Sequence, residues 1–248
     1  MVPYKTQGII LNRYDFQDAD KLFTVLTPDK GKIKVVGRGV KKSKSKLGAH
    51  LEPFSVVDLM IAPGRRMDIV TAAVSRRNFV NLKSAIHKIQ YGWYCCELLD
   101  NLLKLERPDK DMFDLLESAF RFLDDGDDEQ SVFMLNVFVW KALFFLGYTP
   151  ELYHCLSCGR PLKPAQNFFH SLKGGVVCGF CIQDKLDKTI IMPVMPHSIK
   201  ILRFAANNSL ERVLRINFQQ EVLYEFTCLT DMFLEQYLDK KLNTRCYL

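Results

Sequence analysis

Residues 21–37 read KLFTVLTPDKGKIKVVG. Leu22, Thr24 and Leu26 alternate with Phe23 and Val25. The run breaks at Pro28-Asp29-Lys30-Gly31, the residues of a tight turn, and Lys32 to Gly37 then resumes an extended pattern. Two strands joined by a hairpin are the natural reading. The same punctuation recurs on either side: Thr6 to Asn12 precedes, and Phe54 to Ile61 and Asp68 to Val74 follow, the last two separated by Ala62-Pro63-Gly64-Arg65. Five short strands with no long helix between them predict a small barrel. An OB-fold fits that count and is the expectation taken forward, although other five-stranded barrels of this size fit it nearly as well.

After Ser75 the period lengthens. Leu82, Ile86, Ile89, Trp93, Cys96, Leu99 and Leu103 recur at three and four, which predicts an amphipathic helix closed by Pro108. Phe113, Leu116, Phe120 and Leu123 predict a second helix over 110–123, and Val132, Leu135, Val139, Ala142 and Leu146 a third, ended by Gly147 and Pro150. The acidic run from Asp124 to Glu129 lacks calcium-loop spacing and reads as an exposed turn. Helices are expected again at 198–206 and 221–240. The fold class is α+β: an N-terminal five-stranded OB-fold barrel over 1–78, then a mainly helical domain over 79–248 that contains a cysteine insert at 154–182.

Composition narrows the function. The chain has 248 residues, of which 48% are hydrophobic and 25% charged, ordinary for a globular protein. No run of about eighteen uncharged apolar residues exists, which argues against a membrane span. The opening MVPYKTQGIILNRYDF is not a secretory signal, so the expected location is cytoplasmic. Residues 1–78 hold 15 Lys and Arg against 7 Asp and Glu, whereas the remainder holds 19 against 21. Positive charge confined to the first third points to a polyanion-binding module.

Four of the eight cysteines form Cys155-x2-Cys158 and Cys178-x2-Cys181. In a reducing compartment, paired C-x2-C knuckles favour metal over disulfides. Four thiolates fill a tetrahedral zinc shell and leave no open position, so the expected cofactor is one structural zinc per chain. His154 and His170 lie nearby but are surplus to that shell. The segment from Gln166 to Val177 holds too few apolar residues to stand alone, and a metal clip would fix it.

Between the third and fourth strands lies GRGVKKSKSKLG, residues 37–48, with five positive charges and no negative one. It reads as a mobile loop whose Arg38, Lys41, Lys42, Lys44 and Lys46 engage phosphates regardless of sequence. Lys32 and Lys34 share one strand face leading into it, and Arg65 and Arg66 sit in the next turn, so together they would line one groove. Arg76 and Arg77 close the region. Tyr14, Phe16, Phe23 and Phe54 are available for base stacking, with core the commoner fate of such residues. No GxxxxGK[ST], GxSxG or HExxH motif occurs, and no histidine is spaced with carboxylates for acid–base work; an enzyme is not expected.

The QGIIL strand, the GRGVKKSKS loop, the helical body and the LGYTPELYHCLSCG entry to the four-Cys insert resemble the RecO family of bacterial recombination mediators, over essentially the whole chain. The resemblance implies a protein that binds single- and double-stranded DNA and anneals complementary strands. It implies partnership with RecR and with single-stranded-DNA-binding protein in loading RecA, and a location at the nucleoid during repair. It implies structural zinc on Cys155, Cys158, Cys178 and Cys181. It also implies a C-terminal site for the acidic, Phe-ended tail of the single-strand binding protein, for which Lys200, Arg203, Phe204, Arg212 and Arg215 are the expected lining. The residues alone support two other readings. One is a zinc-containing RNA-binding OB-fold module, since stacking and phosphate contacts do not need a deoxyribose. The other is a scaffold whose basic end binds an acidic protein.

Overall fold

The computed structural model describes residues 2–126, 130–182, 190–238 and 240–247. Asp127, Asp128 and Glu129 of the expected acidic turn, and Asp239 of the last expected helix, lie outside them. The chain forms two compact units, residues 1–128 with 242–248, and residues 129–241.

In the first unit, β1 (Tyr4–Phe16), β2 (Asp20–Thr27), β3 (Gly31–Gly37), β4 (Ser55–Ala62) and β5 (Asp68–Asn78) close into a barrel of order β1-β2-β3-β5-β4. All neighbours are antiparallel except β3 and β5, where Val35 pairs with Asp68 and Val36 with Ile69. The expected OB-type barrel is present, with β1 and β5 longer than the sequence indicated. Ile10, Phe23, Val25, Ile33, Val35, Val57, Leu59, Ile61 and Val70 fill its interior, as period-two alternation requires. At the β2–β3 turn Gly31 has a φ of +66°, and a Cβ there would stand 1.7 Å from the Arg107 carbonyl oxygen, so only glycine fits.

The basic segment between β3 and β4 is not a free loop. It contains a short helix, α1 (Lys46–His50), capped by the Ser45 hydroxyl, which accepts from the Gly48 N–H. Val40 and Leu47 pack against the barrel core beside Leu51, which is buried. These apolar residues among the lysines are what anchor it.

α2 (Ile86–Leu102) and α3 (Lys110–Asp125) complete the first unit. Phe54 packs edge-on against Trp93 and Phe120, with centroids 5.1 and 5.5 Å apart. It does so with its backbone at a φ of +55°, strained for an aromatic residue. Gly92 makes room for it, since a Cβ there would lie 2.7 Å from the ring. The Asp109 side chain caps α3 by accepting from the Met112 N–H. A C-terminal 3-10 turn (Asn243–Tyr247) is held to α2 by the Glu97 carboxylate, which accepts from the backbone and side chains of Asn243 and Thr244. Burial works against the charge of Glu97, but those four bonds hold its pKa below the ordinary 4.5.

The second unit is built on α4 (Ser131–Phe145), buried on nearly every side. Around it lie the three-stranded sheet of β6 (Asn167–His170), β7 (Gly175–Cys178) and β8 (Ile191–Val194), in the order β7-β6-β8, and α5 (Pro196–Asn207), α6 (Leu210–Val213) and α7 (Gln220–Leu234). Trp140 stacks on Phe233 at 4.7 Å and donates to the Thr230 hydroxyl, while Phe169 from β6 meets both rings edge-on. The last helix stops at Leu234 rather than continuing to 240, yet Tyr237 still packs on Phe233 from the turn that follows.

Candidate nucleic-acid interface and metal centre

Arg38, Lys42, Lys44 and Lys46 are exposed, and none pairs with a carboxylate among the described residues. The segment that carries them is stitched to the β1–β2 connection: the Lys41 N–H donates to the Ala19 carbonyl, the Gly39 N–H donates to the Asp20 carboxylate, and the Lys41 ammonium lies 3.3 Å from Asp15. Lys41 is therefore partly occupied at home. Four unpaired cations remain on a fixed ridge rather than a mobile strand.

The other expected cations divide. Parallel pairing of β3 with β5 brings the β4–β5 turn beside Lys34, so Lys34 and Arg66 line one cavity of about 530 Å³. Asp29, Asp68 and Glu106 line it too, so it is not uniformly positive. Arg65 is exposed in the same turn. Arg38 follows directly on the end of β3, beyond the buried pair Val35 and Val36 that joins β3 to β5. Lys32 leaves the set altogether. It is 8% exposed, and its ammonium donates to the Asp100 carbonyl at 2.5 Å at the end of α2. Arg76 lies 3.9 Å from Asp58, and Arg77 lies 2.8 Å from Glu117. Of the four aromatics, Phe23 and Phe54 are core, Phe16 is half-buried, and Tyr14 is 52% exposed on β1 next to Asp15. Tyr14 is the most exposed of the four. Burial, with the charges of Asp100 and Glu97, raises its phenol pKa.

In the second unit, the two knuckles converge. The first is closed by Gly159, whose φ is +68° and whose N–H donates to the Cys155 carbonyl. The second runs off the end of β7, and there the Cys181 N–H donates to the Cys178 carbonyl. The sulfurs of Cys155, Cys158, Cys178 and Cys181 all lie within 4.8 Å of one another, and those of Cys158 and Cys178 are 4.0 Å apart. A tetrahedral ion with sulfur at about 2.3 Å sets neighbouring sulfurs roughly 3.8 Å apart. The four thiols fit such an ion.

Without an ion the thiols do not ionise alike. Burial opposes charge on Cys155, but N–H donors from Cys178, Cys158 and Ser157 outweigh it and bring the thiol down to about 6. Hydrogen bonds with Cys158 and Cys178 push Cys181 the other way, to about 12. Four thiolates share this space only with a cation to compensate them. His154 lies 3.7 Å from Glu151, and the His170 ring nitrogen accepts from the Lys173 N–H; both remain outside the cluster, as expected.

The expected partner residues also separate. A cavity of about 640 Å³ runs between α5 and α7, lined by His197, Lys200, Ile201, Phe204, Phe218 and Val222 among others. Lys200 and Phe204 belong to it. Arg203 does not: its guanidinium donates to the Leu152 carbonyl and covers the Tyr153 ring at 4.5 Å. Arg212 and Arg215 are exposed but do not line the cavity. Ile201 and Phe218, which the charge pattern did not single out, supply its apolar wall.

A closed five-stranded barrel carrying exposed cations, followed by a helical region with a four-thiol cluster that fits a metal ion, defines a barrel-and-knuckle protein. The chain belongs to the RecO family of DNA repair proteins. Residues 1–79 match the family model "Recombination protein O N terminal", and residues 83–245 match "Recombination protein O C terminal". Among curated relatives, the DNA repair protein RecO of Dehalococcoides mccartyi (strain CBDB1) is 32% identical over 222 residues, covering 90% of this chain and 85% of the relative. That of Roseiflexus sp. (strain RS-1) is 32% identical over 245 residues, 99% of this chain and 84% of the relative. That of Bacillus pumilus (strain SAFR-032) is 27% identical over 245 residues, 98% and 93%. No described helix is long and apolar enough to cross a membrane.

Proposed function

We propose that this protein is a recombination mediator. It binds single- and double-stranded DNA without sequence specificity through the barrel of residues 1–78 and anneals complementary strands. With RecR, it helps load RecA onto DNA coated by single-stranded-DNA-binding protein. The observation that carries the reading is the ridge of Arg38, Lys42, Lys44 and Lys46, exposed and without carboxylate partners among the described residues. Long cationic side chains on a serine- and glycine-bearing segment suit phosphates, which repeat along any sequence, and not base edges. Lys34, Arg65 and Arg66 extend the binding surface to the β4–β5 turn, and Tyr14 offers a face to an unpaired base.

Zinc is the ion proposed for the four thiols, one per chain, because soft sulfur donors in a closed shell suit it. It fixes the insert within residues 79–248 and performs no chemistry. The α5–α7 cavity is the proposed seat of the acidic, aromatic-ended tail of the single-strand binding protein. Ile201, Phe204 and Phe218 would bury a ring while Lys200 and His197 meet its carboxylates.

The salt dependence of binding tests the ridge. Neutralising Arg38, Lys42, Lys44 and Lys46 together is expected to weaken single-strand binding equally for unrelated sequences. The salt slope should fall by about 0.7 for each cation that no longer meets a phosphate. The melting temperature should hold, since these side chains bury little. An unchanged slope means the ridge is only a solvated surface.

A further inference from the structure

Phe180 stands at the tip of the second knuckle, between Cys178 and Cys181, and it is 96% exposed, more than any other large apolar side chain described. Loose chain does not explain that exposure. The Gly179 N–H donates to the Gln166 carbonyl at 3.0 Å, the Cys181 N–H to the Cys178 carbonyl at 2.9 Å, and the Cys178 N–H to the Cys155 sulfur at 3.3 Å. A ring held out by a pinned backbone is presented, with little conformational freedom left to lose on binding.

The surroundings say to what. A cavity of about 580 Å³ opens beside the ring; Cys158, Cys178 and Cys181 of the thiol cluster form one side of it, and Arg160, Lys163 and Gln166 stand on the rest of its wall. No carboxylate lines it, and neither Arg160 nor Lys163 pairs with one among the described residues. An aromatic face, two free cations and an amide are what a nucleotide needs: a surface for the base, charges for the phosphates on either side, and a donor and acceptor for polar edges. We infer that the second metal knuckle is a stacking site for an unpaired base of single-stranded nucleic acid, separate from the barrel. A duplex does not qualify, because its bases keep their faces stacked on each other. The inference relies on the chain being a nucleic-acid binder, but not on the cationic ridge.

The test uses the full-length, reduced, metal-loaded protein and an oligothymidylate. F180A is expected to bind the oligonucleotide roughly tenfold more weakly, with duplex affinity, metal content and melting temperature unchanged, because the ring touches almost nothing. F180W is expected to restore affinity, and its emission, read against the wild type's Trp93 and Trp140, should be quenched as the oligonucleotide binds. Wild-type affinity in F180A together with unquenched F180W overturns the inference, and so does quenching by peptides but not by the oligonucleotide. Because neither variant touches the ridge, failure of the stacking site leaves the salt slope intact, and failure of the ridge leaves the quenching intact.

Discussion

Lys32 places its ammonium 2.5 Å from the Asp100 carbonyl oxygen and 3.3 Å from the same residue's carboxylate, in a site almost closed to water. Two residues along the same strand, Lys34 is exposed. Alternation places both on one face, but only packing decides what covers each, and the end of α2 covers Lys32. Replacing Lys32 by methionine keeps the volume but leaves the Asp100 oxygens without their charged donor. The expected loss is about 1.5–3 kcal/mol of stability, with DNA affinity unchanged. The matched Lys34 variant is expected to do the reverse, and thermal melts beside binding titrations separate the two. A Lys32→Met protein that melts like the wild type would remove the structural role. Arg203 illustrates the same limit: its helical spacing from Lys200 was legible, whereas its capture by the Leu152 carbonyl, fifty-one positions away, was not.

Among the elements, the barrel strands and the long helices were legible because their apolar periods are nearly uninterrupted and their ends carry turn residues. The short elements were not, α1 and the β6–β7 hairpin among them. In the segment that carries α1, two apolar residues, Val40 and Leu47, outweigh a run of lysines that composition reads as loose chain. In the β6–β7 hairpin, four-residue strands are too brief for a period to show, yet Phe168, Phe169, Val176 and Val177 are all buried. The hairpin therefore has two anchors, its own apolar residues and the thiol cluster, where the sequence indicated only the second. That division predicts how Cys178→Ser behaves. It should lose the metal and loosen the turns at 155–160 and 178–181, while the near-ultraviolet dichroism of Trp140, packed on Phe169 and Phe233, persists. Elemental analysis checks the first outcome and dichroism the second. If the Trp140 signal collapses with the metal, the hairpin has no anchor of its own.

Across the whole molecule, residues 1–78 concentrate the positive charge, and the remainder is close to neutral. That asymmetry was readable from counting, and it supports the proposal that the barrel handles the polyanion while the helical region docks a protein tail. Counting did not reveal that Lys34 and Arg66 share one cavity, which follows from β5 pairing with β3 in parallel. The four cysteines were legible as a set because two-residue spacing is local; the α5–α7 cavity was legible only in Lys200 and Phe204, since its walls come from separated segments. The central claim is that the ridge brings coated complementary strands together. It is tested most directly by the rate at which complementary strands coated with single-stranded-DNA-binding protein anneal, with the wild type and with the variant neutralised at Arg38, Lys42, Lys44 and Lys46. Fast annealing by the wild type and a rate near the protein-free baseline for the variant is the predicted result; no acceleration by the wild type, or equal acceleration by both, would contradict it.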